Sequence, residues 1–188
     1  MRPVLTAVVR SGADLVYLPL FEREGTYFVE QARQVEAMEN VHLMSAEGLY
    51  QATFLEAAGQ AAAGLYLVIP TAPEGPAHAA FVSRYTARHG EPPAPPYSAH
   101  TYDAAGLLLN AIELAAVQAE NGTLTIGRQA LRDVLHATAG FRGLTGSLTC
   151  DEYGDCGVAR FKVVRLDDPA AGLDELAADP VYTYPPGP

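Results

Sequence analysis

Between Ala13 and Pro70 three short apolar runs alternate with two helical stretches, and this alternation limits the possible fold more than any other feature of the chain. "ADLVYLPLF" (13–21) is apolar without alternation, as expected of a strand buried on both faces in a parallel sheet. "GTYFVEQARQVEAM" places Phe28, Ala32 and Val35 at i, i+4 and i+7 and predicts an amphipathic helix. "NVHLMSAEG" is a second short strand that runs into a loop. "ATFLEAAGQAAAG" is an Ala-rich helix stopped by Gly64, and "LYLVIP" is a third strand. A helix over "PVLTAVVRSG", ended by Gly12, precedes them. Strand, helix, strand, helix, strand demands right-handed crossovers and hence an α/β fold built on a parallel sheet.

The texture then changes. "PTAPEGP" (70–76) is stiff and reads as a crossing segment or hinge. "AHAAFVSRYTARHG" predicts a helix closed by Gly90, and the longest helix follows from about Ser98 to Gln118, with Leu107, Leu108, Ala111 and Leu114 inward. "GRQALRDVLHATAGF" predicts another, with Leu131, Val134 and Leu135 inward. "GSLTCDEYGDCGVARFKVVRL" reads as a hairpin, two β-rich runs around a turn. The tail from 167 to 188 reads as irregular.

The functions these residues exclude are several. A formal net charge of −10 disfavours nucleic acid, whose binders need clustered Lys and Arg, and disfavours an anionic membrane surface. No apolar run reaches the roughly 18 residues of a membrane span, and the first residues show no secretory signal. The GxSxG, GxGxxG and GxxxxGK[ST] signatures are missing. His42, His78, His89, His100 and His136 are scattered, so no metal site and no cofactor are expected, and neither cysteine has a neighbouring histidine to activate it. The chain reads as a binding module before an enzyme.

In open parallel sheets ligands bind beyond the carboxyl ends of the strands. "PLFEREG" and "SAEGLY" sit there. Phe21 is placed to cover a ligand or to pack in the core. Glu47, at a strand end and followed by Gly, is placed to receive a cation or to complement the start of a helix.

The segments "ADLVYLPLFEREGTYFVEQAR", "SAEGLYQATFLEAAGQAAAGLYLVIP", "YSAHTYDAAGLLLNAIE" and "GLTGSLTCDEYGDCGVARFKVVRL", in this order, resemble the second half of a type I periplasmic substrate-binding protein of the branched-chain amino acid ABC-transporter family. The resemblance covers about residues 3–166. It implies a two-lobed fold with the ligand clamped between α/β lobes. Residues 1–69 match part of the second lobe, 70–76 the hinge or crossing segment, and 77–140 helices of the first lobe. Residues 141–166 match a β-hairpin returning to the second lobe.

The resemblance also implies roles. Glu47 matches the acid that pairs with the ligand's α-ammonium, Phe21 an aromatic position beside the ligand, and Tyr97 an aromatic lining the side-chain pocket. The ligand implied is an amino acid, branched-chain or otherwise apolar, or a related small zwitterion. The partner implied is an ABC permease, and the location the periplasm or the outer face of the cell membrane. Catalytic residues are not implied. A ligand-sensing receptor of the same fold is the second reading, and a small α/β hydrolase using Ser45 near Glu47 the third. Family members are about twice this length, so a truncated form is expected. Self-association through exposed apolar faces is expected with it.

In the family the hairpin matched by "GSLTCDEYGDCG" carries no cysteines. Here Cys150 and Cys156 flank its turn, one on each strand, within reach of a disulfide. The alternatives fit less well: Asp151, Glu152 and Asp155 supply few oxygens for calcium, and the spacing is too wide for a CxxC redox pair.

Overall fold

The computed structural model describes residues 2–157 and 159–185. In chain order the elements are α1 (Arg2–Ser11), β1 (Leu15–Leu18), α2 (Glu22–Ala32), β2 (His42–Ser45), α3 (Ala52–Ala58), β3 (Tyr66–Pro70), α4 (Pro76–His89), α5 (Ser98–Ala115), β4 (Ala116–Gln118), β5 (Leu124–Ile126), α6 (Arg128–His136), β6 (Phe141–Arg142), β7 (Ser147–Leu148), β8 (Phe161–Arg165), α7 (Leu173–Ala178) and β9 (Tyr182–Tyr184). They form two units: Met1–Thr71 with Arg160–Pro188, the sheet unit, and Ala72–Ala159, the helical unit.

The sheet unit has five strands in the order β1-β2-β3-β8-β9. β1, β2 and β3 are parallel, with α2 and α3 as crossovers, while β8 and β9 add antiparallel. Alternation then assigns the two faces. Leu18, Leu43, Ser45, Leu67, Ile69 and Val164 share one face and are all buried. On that face they meet Leu5 of α1, Phe28 and Val29 of α2, Phe54 and Leu55 of α3 and Leu176 of α7 in a single core cluster. Tyr50 lies in the same core. Burial, and then Asp174, push its phenol above the ordinary value of 10.0, and the protonated hydroxyl donates to the Leu173 carbonyl at 2.6 Å.

β1 departs from expectation. It spans four residues rather than nine, and it forms an edge of the sheet, with Leu15 49% and Tyr17 51% exposed. A continuous apolar run marks a strand with apolar neighbours on both faces; here only the Val16 and Leu18 face has them. The tail also differs: Tyr50 and the core hold α7 through Leu173 and Leu176, and β9 pairs with β8, so 167–185 is not irregular. Residues 186–188 lie outside the described residues.

The helical unit begins with α4, which Gly90 ends in the left-handed conformation at φ +84°. α5 stops at Ala115, and the residues expected to extend it become β4, which pairs with β5 around the Asn121-Gly122 turn. Its buried residues are Ala99, Asp103, Leu107 and Ala111, spaced by four, whereas Leu108 and Leu114 are exposed. Asp103 causes this rotation. Its carboxylate lies 3% exposed and accepts from Leu144 N at 2.6 Å, Thr145 N at 2.7 Å and Thr145 Oγ1 at 2.7 Å. On α6, Leu131, Val134 and Leu135 are only half-buried.

The expected hairpin over 141–166 divides. β6 and β7 make a two-residue ladder over the 143–146 turn, and a second turn follows at 151–155. Both stay with the helices; only β8 returns to the sheet, drawn by its full register with β3. Val158 lies outside the described residues. The disulfide is present, though neither cysteine lies on a strand as expected: Cys150 and Cys156 are joined six residues apart, around a turn in which Asp151 Oδ1 accepts from Tyr153 N and Asp155 N. Thiol titration of unreduced protein is expected to find no free thiol. Reduction is expected to lower the unfolding free energy of the helical unit by about 2 kcal/mol, the chain-entropy value for so short a loop. An unchanged urea midpoint on reduction would contradict the clamp.

Candidate ligand-binding site

Register brings two sequence-distant loops to one end of the sheet. Leu18 and Ser45 are partners at the carboxyl ends of β1 and β2, and Ser45 is also partner to Leu67 of β3. The Ser45 hydroxyl, fully buried, donates to the Leu18 carbonyl and ties the two strand ends together. This placement removes Ser45 as a nucleophile, because its hydroxyl is neither accessible nor free.

Phe21 follows β1 in extended conformation at the N-cap of α2, and its carbonyl accepts from Gly25 N at 2.9 Å. The ring is 76% exposed, so it does not pack in the core. Glu47 follows β2 and opens a three-residue 3₁₀ turn, Glu47–Leu49, closed by Tyr50 N on the Glu47 carbonyl at 2.8 Å. It therefore opens this 3₁₀ turn rather than α3, whose N-cap is Gln51. Glu47 is half-buried, and among the described residues its carboxylate has no hydrogen-bond or ion-pair partner.

Gly48 joins the two loops. A Cβ added there would lie 2.6 Å from the Leu20 carbonyl oxygen and 3.3 Å from Phe21 Cδ1. Only hydrogen allows the 3₁₀ turn to press against the end of β1 and set Glu47 beside the Phe21 loop. A second tie lies behind it, where Thr53 Oγ1 donates to Glu22 Oε2 at 2.5 Å and links the starts of α3 and α2. The sheet unit thus presents an exposed aromatic and an unpaired, half-desolvated carboxylate at the carboxyl end of parallel strands. That combination can hold a cation carrying an apolar group.

Tyr97, the third expected residue, belongs to the helical unit. It stands at the N-cap of α5, 43% exposed, with its ring edge-on to His100 at a centroid distance of 5.6 Å. Reading the residues one by one did not find the supports. Ser45 and Gly48 were legible only as small residues flanking an acid. Asp103 was legible as an acid in the apolar spacing Ala99, Leu107, Ala111.

A family model described as Periplasmic binding protein matches residues 1–171. The chain belongs to the periplasmic binding protein family. Solved structures agree with this fold. A leucine binding protein from Thermotoga maritima superposes with TM-score 0.69 at 24% identity, covering 97% of this chain and 47% of that one. The branched-chain amino acid transporter substrate binding protein from Streptococcus pneumoniae, in complex with isoleucine, gives TM-score 0.59 at 22% identity, covering 97% and 47%. A solute binding protein of an ABC transporter from R. palustris, in complex with benzoate, gives TM-score 0.54 at 20% identity, covering 88% and 43%. This periplasmic binding protein chain spans about half the length of the solved structures it matches. A comparison with curated sequences finds no match.

Proposed function

We propose that the chain is the ligand-gripping portion of the extracytoplasmic solute-binding component of an ABC transporter. Its ligand is an amino acid with a branched-chain or other apolar side chain, or a related small zwitterion. The observation that carries this reading is the unpartnered Glu47 carboxylate beside exposed Phe21, held by Gly48 at the carboxyl end of β1 and β2. Glu47 takes the ammonium group, Phe21 covers the ligand, and Tyr97 lines the side-chain pocket. The sheet unit corresponds to part of the second lobe, residues 70–76 to the crossing, and α4, α5 and α6 to helices of the first lobe. The ligand is held by hinge closure and passed to a permease. The Cys150–Cys156 disulfide supports an oxidising, extracytoplasmic setting. The family and the relatives named as binding proteins favour binding over catalysis.

The test is a thermal-shift and calorimetry series with leucine, isoleucine, the deaminated analogue 4-methylpentanoate, and benzoate. Leucine or isoleucine is expected to bind and 4-methylpentanoate to fail. Glu47→Gln is expected to weaken binding about tenfold or more, the loss of a charge-assisted hydrogen bond. Equal binding of the deaminated analogue, or no response to any amino acid, would overturn the reading. Benzoate binding unaffected by Glu47→Gln would move the ligand class to aromatic acids.

A further inference from the structure

Glu47 stands on a turn too short to hold its own shape. Glu47–Leu49 is a single 3₁₀ turn, closed by Leu49 N on the Ala46 carbonyl at 3.3 Å and by Tyr50 N on the Glu47 carbonyl at 2.8 Å. Two such bonds do not keep three residues in one conformation in water, so the surroundings set the turn. In front, Gly48 rests on the Leu20 carbonyl. Beneath, Leu49 is fully buried against α2 at Gly25. Behind, the chain leaves the turn at Tyr50 with φ −82° and ψ 67°, the bend of an inverse γ-turn. It then enters α3 at Gln51, whose side chain makes no capping hydrogen bond. Tyr50 is the pivot between the Glu47 turn and α3.

The Tyr50 side chain fixes that pivot. Its ring lies in the core cluster, and its hydroxyl donates to the Leu173 carbonyl, 123 residues further on, at 2.6 Å. Among the described residues this is the one hydrogen bond between residues 46–62 and residues 167–178. A cavity of about 470 Å³ lies between Leu55 and Glu56 of α3 and residues 169–173. Packing along that stretch is therefore incomplete, and the hydroxyl makes the tie. The acceptor is itself held in place: Leu176 is part of the core, and Lys162 Nζ of β8 donates to the Ala177 carbonyl. Burial, and then Asp174, raise the phenol, so the donor keeps its proton at neutral pH.

We infer that Tyr50 is a positioning residue for the ligand site: by tying the Glu47 turn to Leu173 it fixes where the Glu47 carboxylate points, and α7 is the rear support of the site. The inference rests on the reading of Glu47 as the group that takes the ligand's ammonium. A charge-assisted hydrogen bond weakens steeply when its donor and acceptor leave line. A turn free to rock keeps its carboxylate and loses its grip.

Tyr50→Phe keeps the ring and removes the tie. It is expected to weaken leucine binding about three- to tenfold, the worth of one hydrogen bond. The deciding readout is a double-mutant cycle with Glu47→Gln, titrated calorimetrically with leucine. Once Glu47 is Gln, Tyr50→Phe is expected to change leucine affinity by less than about twofold, whereas a residue that only stabilises the fold costs the same in both backgrounds. A second readout needs no ligand. Hydrogen exchange at the 49 and 50 amides is expected to quicken about tenfold in Tyr50→Phe, while the amides paired between β1 and β2 keep wild-type rates. Unchanged exchange at 49 and 50, or an equal loss of affinity in both backgrounds, would overturn the inference. A wild type that does not bind leucine overturns the reading of Glu47 instead, and the exchange rates then decide the positioning by themselves.

Discussion

Asp103→Ala is expected to cost the helical unit about 3–5 kcal/mol, because it removes the acceptor of three hydrogen bonds and leaves the half-buried amides of Leu144 and Thr145 without one. A domain of this length holds on the order of 5–10 kcal/mol in total, so the variant unit sits near the edge of unfolding. Urea denaturation followed by circular dichroism measures the loss. Hydrogen exchange locates it, with the 144 and 145 amides expected to lose protection first. Asp103→Asn keeps the shape but turns an N–H toward donors, and its midpoint is expected to fall between those of wild type and Ala. Gly143 offers an independent check: a Cβ there would come 2.4 Å from Asp103 Oδ2, so Gly143→Ala is expected to open the same latch from the other side. If both variants unfold at the wild-type midpoint, the latch does not hold α5 to the β6–β7 turn.

Gly48→Ala is expected to lose ligand binding and about 1–3 kcal/mol of stability together. The added methyl meets the Leu20 carbonyl oxygen at 2.6 Å, and a backbone oxygen cannot rotate aside as a side chain does. Either the 3₁₀ turn lifts or the end of β1 retreats, and both movements separate Glu47 from Phe21. Gly25→Ala is the informative comparison. Its Cβ would meet Leu49 Cδ2 at 2.4 Å, a buried side chain that repacks at a cost in stability without displacing the strand ends. Binding is expected to survive Gly25→Ala and to fail in Gly48→Ala. Were Gly48→Ala to bind amino acids as wild type does, the site would not lie at these strand ends.

Much of the architecture was legible because it rests on local order. The spacing of Phe28 and Ala32, the apolar runs at His42–Ser45 and Tyr66–Pro70, and the stops at Gly12 and Gly90 read directly as α2, β2, β3 and helix ends, whereas α3 ends at Ala58 with Gly59, not Gly64, as its C-cap. The candidate residues Phe21 and Glu47 were legible for the same reason, each being the polar or aromatic exception next to a strand end. Helical periodicity extends α5 too far because Ala116–Gln118 has no helix breaker, and the pairing of that segment with β5 is a contact that periodicity does not register.

What the sequence by itself determined is the α/β alternation, the order of the elements, the strand-end positions of Phe21 and Glu47 and the cysteine pair about one turn. Tertiary structure decided the rest, since burial depends on what lies opposite. Only packing shows that β1 is an edge, that Ser45 is a buried tie rather than a nucleophile, and that Gly48 fits against Leu20 because it lacks a side chain. Asp103 follows the same logic. An acid in an apolar stripe reads as an error until two backbone amides about forty residues away arrive to donate to it, and that meeting exists only in the folded chain.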